Sequence, residues 1–147
     1  MSNESMLVML VEDNPDHAEL VVRSFDNHPI ASQIVLLPDG EAALDYLLRR
    51  GKYADPSQSP RPHMILLDLR LPRIDGLEVL KAIKESAALR PIPVIVLTTS
   101  DADNDVMQAY LHYANSYVVK PVGYDQLVKL MKDLGSFWLG WNIAPRV

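Results

Sequence analysis

Acidic residues, two threonines and a lysine follow short apolar runs of the sequence, and these residue types at these positions could do chemistry. They are Glu12 and Asp13 after the first run, Asp68 after the third, Thr98 and Thr99 after the fourth, and Lys120 after the fifth. Carboxylates about 4 Å apart repel by roughly 4 kcal/mol at an effective dielectric near 20, so such a cluster indicates a compensating cation or proton. Carboxylates without Cys or His favour a hard cation such as Mg²⁺, and a nearby lysine suits a phosphoryl group. Asp68 can act as the nucleophile, because carboxylates form aspartyl phosphates.

Five apolar runs of the sequence alternate with predicted helices. The elements that these segments form must position the acidic residues, the threonines and the lysine. The runs cover residues 7–11, 34–37, 64–67, 94–97 and 117–119. Helices are predicted after Asn14 and Pro15, from Asp39 to Gly51, around residues 77–83, over 103–113 and over 124–134. Strands alternating with helices predict an α/β fold with a parallel sheet covered on both faces. In such a sheet functional groups collect beyond the carboxyl ends of the strands, so the residues above should meet at one edge.

Length and composition favour one soluble domain. The 147 residues suit a single core, which we place in residues 1–135, with an aromatic tail in 136–147 and no output domain. A formal charge of −5 argues against direct nucleic-acid binding. No apolar stretch reaches the roughly 18–20 residues of a membrane helix, and the polar N-terminus lacks a signal-peptide pattern, so a cytoplasmic location is expected. The stretch 52–62 contains three prolines and is predicted to be an exposed loop.

The chain resembles the receiver domain of bacterial response regulators over about residues 7–134. The resemblance rests on Glu12-Asp13, Asp68-Leu69-Arg70-Leu71-Pro72 with Asp75-Gly76, Leu97-Thr98, and Tyr117-Val118-Val119-Lys120-Pro121. It implies a doubly wound five-stranded parallel sheet of flavodoxin/CheY-like order 2-1-3-4-5 with five helices. A departure is Tyr113, where many receivers have glycine, so a different turn into the fifth strand is expected.

The resemblance implies a phosphoacceptor signalling protein rather than an enzyme, although one that assists its own phosphorylation and dephosphorylation. Asp68 would take phosphate from a histidine kinase. Asp13 and Asp68 would bind Mg²⁺ directly, Glu12 would act through a metal-bound water, and the backbone carbonyl of Arg70 would supply another ligand.

The remaining family positions imply the phosphoryl contacts and the switch. Lys120 would pair with the phosphoryl oxygens, which the Thr98 hydroxyl and the Thr99 amide would also contact. Tyr117 would be the aromatic switch residue. The bond between Lys120 and Pro121 is expected to be cis, a form found in about 5–6% of X–Pro bonds. The side chain of Arg70 and the four histidines are expected to be structural or exposed.

A narrower resemblance is to phytochrome-associated response regulators of cyanobacteria and other bacteria. It rests on the proline-rich insertion, the lack of an output domain and the closing Phe137-Trp138-Leu139. It implies a phytochrome as the kinase. These tail residues could fold back onto their own domain or pair across a two-fold axis, and we favour a homodimer interface.

Three other functions remain to be weighed. A phosphatase of the haloacid dehalogenase type needs an acid two residues after the nucleophile, where this chain has Arg70. A flavodoxin-like flavin carrier needs a phosphate-cradling loop after the first strand, where this chain has Glu12-Asp13-Asn14. A receiver-like docking module that takes no phosphate is the nearest alternative, and the complete acidic set argues against it.

Overall fold

The strands follow the apolar runs of the sequence closely. The structure is a computed structural model that describes residues 5–145. Within that range the strands are β1 (Met6–Val11), β2 (Ser32–Leu37), β3 (Met64–Leu67), β4 (Val94–Thr98) and β5 (Ser116–Val119). They pair in parallel in the order β2-β1-β3-β4-β5. This order confirms the predicted doubly wound sheet.

The first four helices each join two parallel strands, and the fifth follows β5. The α-helices among residues 5–145 are α1 (Pro15–Asp26), α2 (Gly40–Leu47), α3 (Gly76–Glu85), α4 (Asp103–Leu111) and α5 (Tyr124–Gly135). Asn14 caps α1, as predicted, because its side chain accepts hydrogen bonds from the amides of Asp16 and His17. Asp39 caps α2 through the amide of Ala42. In this part of the chain no helix is long and apolar enough to cross a bilayer.

Two apolar layers hold the helices against the sheet. One layer packs α1 and α5 on the face that carries Val8, Leu10 and Leu66. The other packs α2, α3 and α4 on the opposite face. Residues of β1, β3 and β4 are buried on both sides, which explains why these strands are continuous apolar runs. The sheet is therefore a rigid base whose carboxyl edge positions the polar residues.

Helix α2 ends earlier than predicted. Its last residue is Leu47 rather than Gly51, because the chain leaves the helix at Arg49, which has a φ of 57°. Gly51, also at positive φ, instead begins a short 3-10 turn (Gly51–Tyr53). A second such turn covers Pro56–Gln58. The proline-rich stretch after the helix folds back and contacts the end of α2.

That proline-rich stretch is anchored rather than simply exposed. The hydroxyl of Tyr46 donates to the carbonyl of Pro60 at 2.6 Å, and Arg61 donates to the carbonyl of Leu47 at 2.6 Å. The Ser59 side chain is buried and donates to the carbonyl of Tyr53. These hydrogen bonds hold the irregular segment against the end of α2.

Helix α4 also ends two residues before its predicted end. Tyr113, just beyond it, has a φ of 66°, the left-handed conformation that glycine adopts most easily. Its side chain is largely exposed. Tyrosine here therefore takes a backbone conformation that glycine adopts at lower cost, just before β5 begins at Ser116.

The expected cis bond before Pro121 is not found. No cis peptide bond occurs among residues 5–145, so the Lys120–Pro121 bond is trans. The trans form is intrinsically favoured by about 0.5–1 kcal/mol even before proline. The Lys120 side chain reaches the carboxyl edge in this isomer.

The chain after α5 remains helical and packs on its own domain. Residues Ser136–Trp141 form a π-helical segment that continues α5. Trp138 and Leu139 are buried in the layer formed by α1 and α5, whereas Phe137 is half exposed. Two of the three residues predicted at a dimer interface are thus core residues of their own chain, because burying a large aromatic against α1 is already possible within the monomer.

Candidate functional site

The predicted chemical residues meet at the carboxyl edge of the sheet. Val11 pairs with Leu67, so Glu12 and Asp68 follow neighbouring strands at the same level. Thr98 pairs with Val119, which places Lys120 directly beyond the edge of β5. The parallel register therefore brings these side chains together, as the sequence predicts.

Three carboxylates form a cluster that fits a divalent cation. Glu12, Asp13 and Asp68 each offer an oxygen, and these oxygens lie within 4.8 Å of one another. Glu12 and Asp68 are buried, whereas Asp13 is exposed. Burial raises the pKa of Glu12, with a further increase from Asp68, against the opposite effect of Lys120. An all-oxygen set with one open side suits a hard cation that keeps some of its water.

Lys120 provides the only positive charge in contact with this cluster among the described residues. Its side chain is almost fully buried, and its ammonium donates to Glu12 Oε2 at 2.5 Å and to Asp68 Oδ2 at 3.3 Å. A third neighbour is Nδ1 of His17, at 3.1 Å from Nζ. Burying an unpaired ammonium costs several kcal/mol, so these contacts hold the lysine beside Asp68.

The backbone around Asp68 is fixed by the following loop. The Asp68 amide donates to the carbonyl of Val11 at 3.1 Å, and Asp68 Oδ1 accepts from the amide of Arg70 at 3.1 Å. Gly76 begins α3 so close to this segment that an added Cβ would lie 2.2 Å from the Asp68 carbonyl oxygen. Only glycine fits there, and the close approach positions the carboxylate.

The β4–α4 loop carries a second group of predicted residues. Thr98 is fully buried and its Oγ1 accepts from the amide of Ser100 at 3.4 Å, while Thr99 is exposed. The Tyr117 hydroxyl donates to the carbonyl of Ser100 at 2.8 Å. Burial raises the pKa of Tyr117. The loop is thus tied both to the edge of β4 and to the aromatic ring on β5.

The ion pair between Arg70 and Asp105 at this loop was not predicted from the sequence. The guanidinium of Arg70 pairs with the buried carboxylate of Asp105 in the first turn of α4. Ser100 Oγ donates to the same carboxylate at 2.5 Å. Arg70 and Asp105 are 35 positions apart in the sequence, and no local pattern joins them. His17 was also missed, because its contact with Lys120 joins residues 103 positions apart in the sequence.

The chain matches the family model described as the response regulator receiver domain over residues 8–132. Among proteins, it is 44% identical over 144 residues to the probable methanogenesis regulatory protein FilR2 of Methanothrix harundinacea, covering 98% of this chain and 90% of that one. It is 41% identical over 144 residues to the response regulator Rcp1 of Synechocystis sp., covering 98% and 96%.

Solved structures resemble it at similar identity. The Mn²⁺-bound form of Rcp1 superposes with a TM-score of 0.92 at 39% identity, covering 96% of this chain and 99% of that one. The phosphorylated cyanobacterial phytochrome response regulator RcpA superposes with a TM-score of 0.92 at 36% identity, covering 97% and 100%. The fold of this chain is therefore the fold of these relatives.

Proposed function

The chain belongs to the response regulator receiver domain family and is a phosphoacceptor of two-component signalling, and we propose that Asp68 carries the phosphoryl group in a reaction that requires Mg²⁺. One observation carries the proposal. The buried Asp68 carboxylate has the Lys120 ammonium 3.3 Å from its Oδ2 and two further carboxylates beside it. A nucleophile, a cationic partner and a candidate metal site thus lie within one cluster.

The two buried carboxylates differ in how closely Lys120 holds them. Its ammonium lies 2.5 Å from Glu12 Oε2 but 3.3 Å from Asp68 Oδ2, so Glu12, the more tightly engaged of the two, would act through a metal-bound water. Asp13 is exposed and Asp68 lies beside it, so these two would be direct ligands, with the backbone carbonyl of Arg70 as another. Bound Mg²⁺ would share the negative charge of the transferred group.

The chain's own groups would then bind the phosphoryl oxygens. An Asp68 oxygen attacks phosphorus, the O–P bond forms as the P–N bond to the kinase histidine breaks, and the electron pair leaves on the imidazole nitrogen. Lys120 would donate to one phosphoryl oxygen, and the Thr98 hydroxyl and Thr99 amide to another. Movement of Thr98 toward Asp68 would let Tyr117 turn inward, which would be the conformational output.

Direct phosphorylation tests the proposal. Incubation with acetyl phosphate and Mg²⁺ should add the mass of one phosphoryl group to the intact protein. Asp68→Asn should remain unmodified and folded, and a chelator should stop the reaction in the wild type. An unmodified wild-type protein under these conditions would favour the docking module that takes no phosphate, and full modification of Asp68→Asn would move the acceptor elsewhere.

A histidine kinase is the partner of a receiver domain, and we infer that here it is a phytochrome. Support comes from the similarity to RcpA, which is a phytochrome response regulator. The identity to FilR2, 44%, is higher than the 36% identity to RcpA, which makes the test necessary. Phosphotransfer from an autophosphorylated phytochrome kinase should be at least about tenfold faster than from a kinase of another sensory class, a difference of about 1.4 kcal/mol. Equal rates would contradict the assignment. Since the kinase needs ATP, the proposed location is the cytoplasm.

The same chain is proposed to form a homodimer through β5, α5 and the residues that follow. Trp138 and Leu139 are buried in their own chain, so the interface would use Phe137, Trp141 and Ile143, which are 51%, 82% and 93% exposed. Exposed apolar groups in one region favour association. Light scattering should give a dimer for the wild type and a folded monomer for Phe137→Ser with Trp141→Ser. A monomeric wild type at high micromolar concentration would contradict the proposal.

A further inference from the structure

His17 lies beside the phosphoacceptor site, although no predicted role includes it. The Asn14 side chain accepts hydrogen bonds from the amides of Asp16 at 2.9 Å and His17 at 3.2 Å, which fixes the first turn of α1. This turn places Nδ1 of His17 at 3.1 Å from the ammonium nitrogen of Lys120. The imidazole is partly buried. Its position is thus set by the helix cap and by the lysine.

The contact determines the form of the imidazole. A lysine ammonium has three donors and no acceptor, so Nδ1 must accept and must carry no proton. The ring is therefore neutral with its proton on Nε2. Burial and the nearby Lys120 charge lower the pKa of His17, which agrees with this form.

All three hydrogens of the ammonium have an acceptor. The acceptors are Glu12 Oε2 at 2.5 Å, His17 Nδ1 at 3.1 Å and Asp68 Oδ2 at 3.3 Å. Glu12 holds the lysine more closely than Asp68 does. Without a third acceptor, the ammonium would be drawn toward Glu12 and away from the group that becomes phosphorylated.

We propose that His17 is a positioning residue for phosphoryl transfer, which holds the Lys120 ammonium where it can donate to the phosphoryl group on Asp68. The inference rests on the proposed role of Asp68. A neutral imidazole suits this role better than a fourth carboxylate, because it accepts a hydrogen bond without adding negative charge that would repel the phosphoryl oxygens.

Two substitutions separate this role from simple packing. His17→Leu keeps the bulk of the side chain and removes the acceptor, whereas His17→Asn keeps an acceptor near the position of Nδ1. Phosphorylation by acetyl phosphate at fixed Mg²⁺ should slow about tenfold in His17→Leu, as expected for losing one hydrogen bond to a charged group. His17→Asn should restore most of the rate. His28→Leu is the matched control, a histidine at the other end of the helix whose removal should leave the rate unchanged.

The outcomes are distinguishable from failure of the proposed function. A wild-type protein that takes no phosphate would overturn the role of Asp68 itself. A wild type that is phosphorylated at the same rate as His17→Leu, or a His17→Asn variant as slow as His17→Leu, would overturn only the positioning role. Nitrogen NMR shifts of the wild-type His17 ring give a second test that needs no variant. We expect a proton on Nε2, and a proton on Nδ1 would contradict the inference.

Discussion

Lys120 sets the electrostatics of the individual residues at the carboxyl edge. Its buried ammonium offsets the repulsion between Glu12 and Asp68, and each of these carboxylates contacts it directly. A bound cation would take over part of that role. Removing a carboxylate that faces the metal should therefore weaken cation binding. Removing one that faces Lys120 instead takes a partner from the ammonium.

Metal affinity should separate Asp13 from Glu12. Asp13→Asn should weaken Mg²⁺ binding about tenfold or more, a loss of about 1.4 kcal/mol, because a direct carboxylate ligand is removed. Glu12→Gln should weaken it less, since Glu12 is held by Lys120 and would act through water. Isothermal titration calorimetry measures both. Asp16→Asn is the control, because Asp16 lies outside the carboxylate cluster. Unchanged affinity in Asp13→Asn would refute the ligand assignment.

The pH dependence of stability should carry a contribution from His17. Burial and the charge of Lys120 lower its pKa in the folded state, against the smaller opposite effects of Asp68, Asp16 and Asp13. Below about pH 6.5 the unfolded chain therefore binds a proton that the folded chain does not, so stability falls as the pH decreases. Denaturation of metal-free protein at pH 7.5 and 5.5 measures the change. The wild type should lose more stability over this interval than His17→Leu, and an equal loss would contradict the expected pKa shift.

At the scale of elements, the β4–α4 loop is the segment through which the site reaches the helices. Asp105 in the first turn of α4 binds both Arg70 and Ser100, and Ser100 in turn accepts from Tyr117. The loop after the phosphoacceptor is thereby joined to α4 and β5. A shift of α4 relative to the Asp68 loop would therefore break or rearrange the contact between Arg70 and Asp105.

Removing the Arg70 side chain should loosen that loop without affecting the metal. Arg70→Ala deletes the ion pair to Asp105 but keeps the backbone carbonyl proposed as a ligand. Because the arginine is partly exposed, the pair should contribute at most about 1 kcal/mol, so amide exchange over residues 101–106 should accelerate up to about fivefold. Arg90→Ala, on the exposed surface before β4, is the control. Unchanged exchange in Arg70→Ala would show that the pair does not hold the loop.

The sequence predicts the strands better than the helix ends. Buried strands such as β3 are short apolar runs, and their pattern survives because both faces are covered. The ends of α2 and α4 depend instead on Arg49 and Tyr113, which adopt left-handed conformations where glycine would be expected. The tertiary contacts of the proline-rich loop, such as that of Tyr46 with Pro60, decide where α2 stops. A local pattern cannot contain that information.

In the candidate site, too, the sequence predicts some placements and does not predict contacts between distant side chains. Glu12, Asp68 and Lys120 could be placed together because the ends of parallel strands must share one edge. The pairing of Arg70 with Asp105 and the contact of His17 with Lys120 depend on side chains that are 35 and 103 positions apart. The trans bond before Pro121 also differs from the expected cis bond, since no local signal fixes the isomer.

At the scale of the whole molecule, the π-helical segment completes the layer between α1 and α5. Trp138 and Leu139 pack there with Phe25 and Leu134, so the last residues contribute to the core. Phe137 lies next to them with its ring 5.2 Å from that of Trp138, in an edge-to-face arrangement, and remains half exposed. Trp138 therefore contributes to the core, whereas Phe137 presents about half of its side chain to solvent.

Alanine substitutions should separate these two aromatics. Trp138→Ala should lower the free energy of unfolding by about 3–5 kcal/mol, because it leaves a cavity in the core. Phe137→Ala should cost about 1 kcal/mol or less at a concentration where the protein is monomeric, since half of its side chain is in water. Urea denaturation followed by circular dichroism measures both. Equal losses in the two variants would mean that Trp138 is not buried as described.

The π-helical segment also affects how this terminus can change in length during evolution. Deletion of Ser136 would move each later residue of this segment into the place of the one before it. Trp138 would then occupy the exposed position of Phe137, and Leu139 would fill the buried position of the tryptophan. Gly140 would take the buried position of Leu139, so a single-codon deletion would exchange the aromatic group presented to solvent and at the same time remove apolar packing from the core.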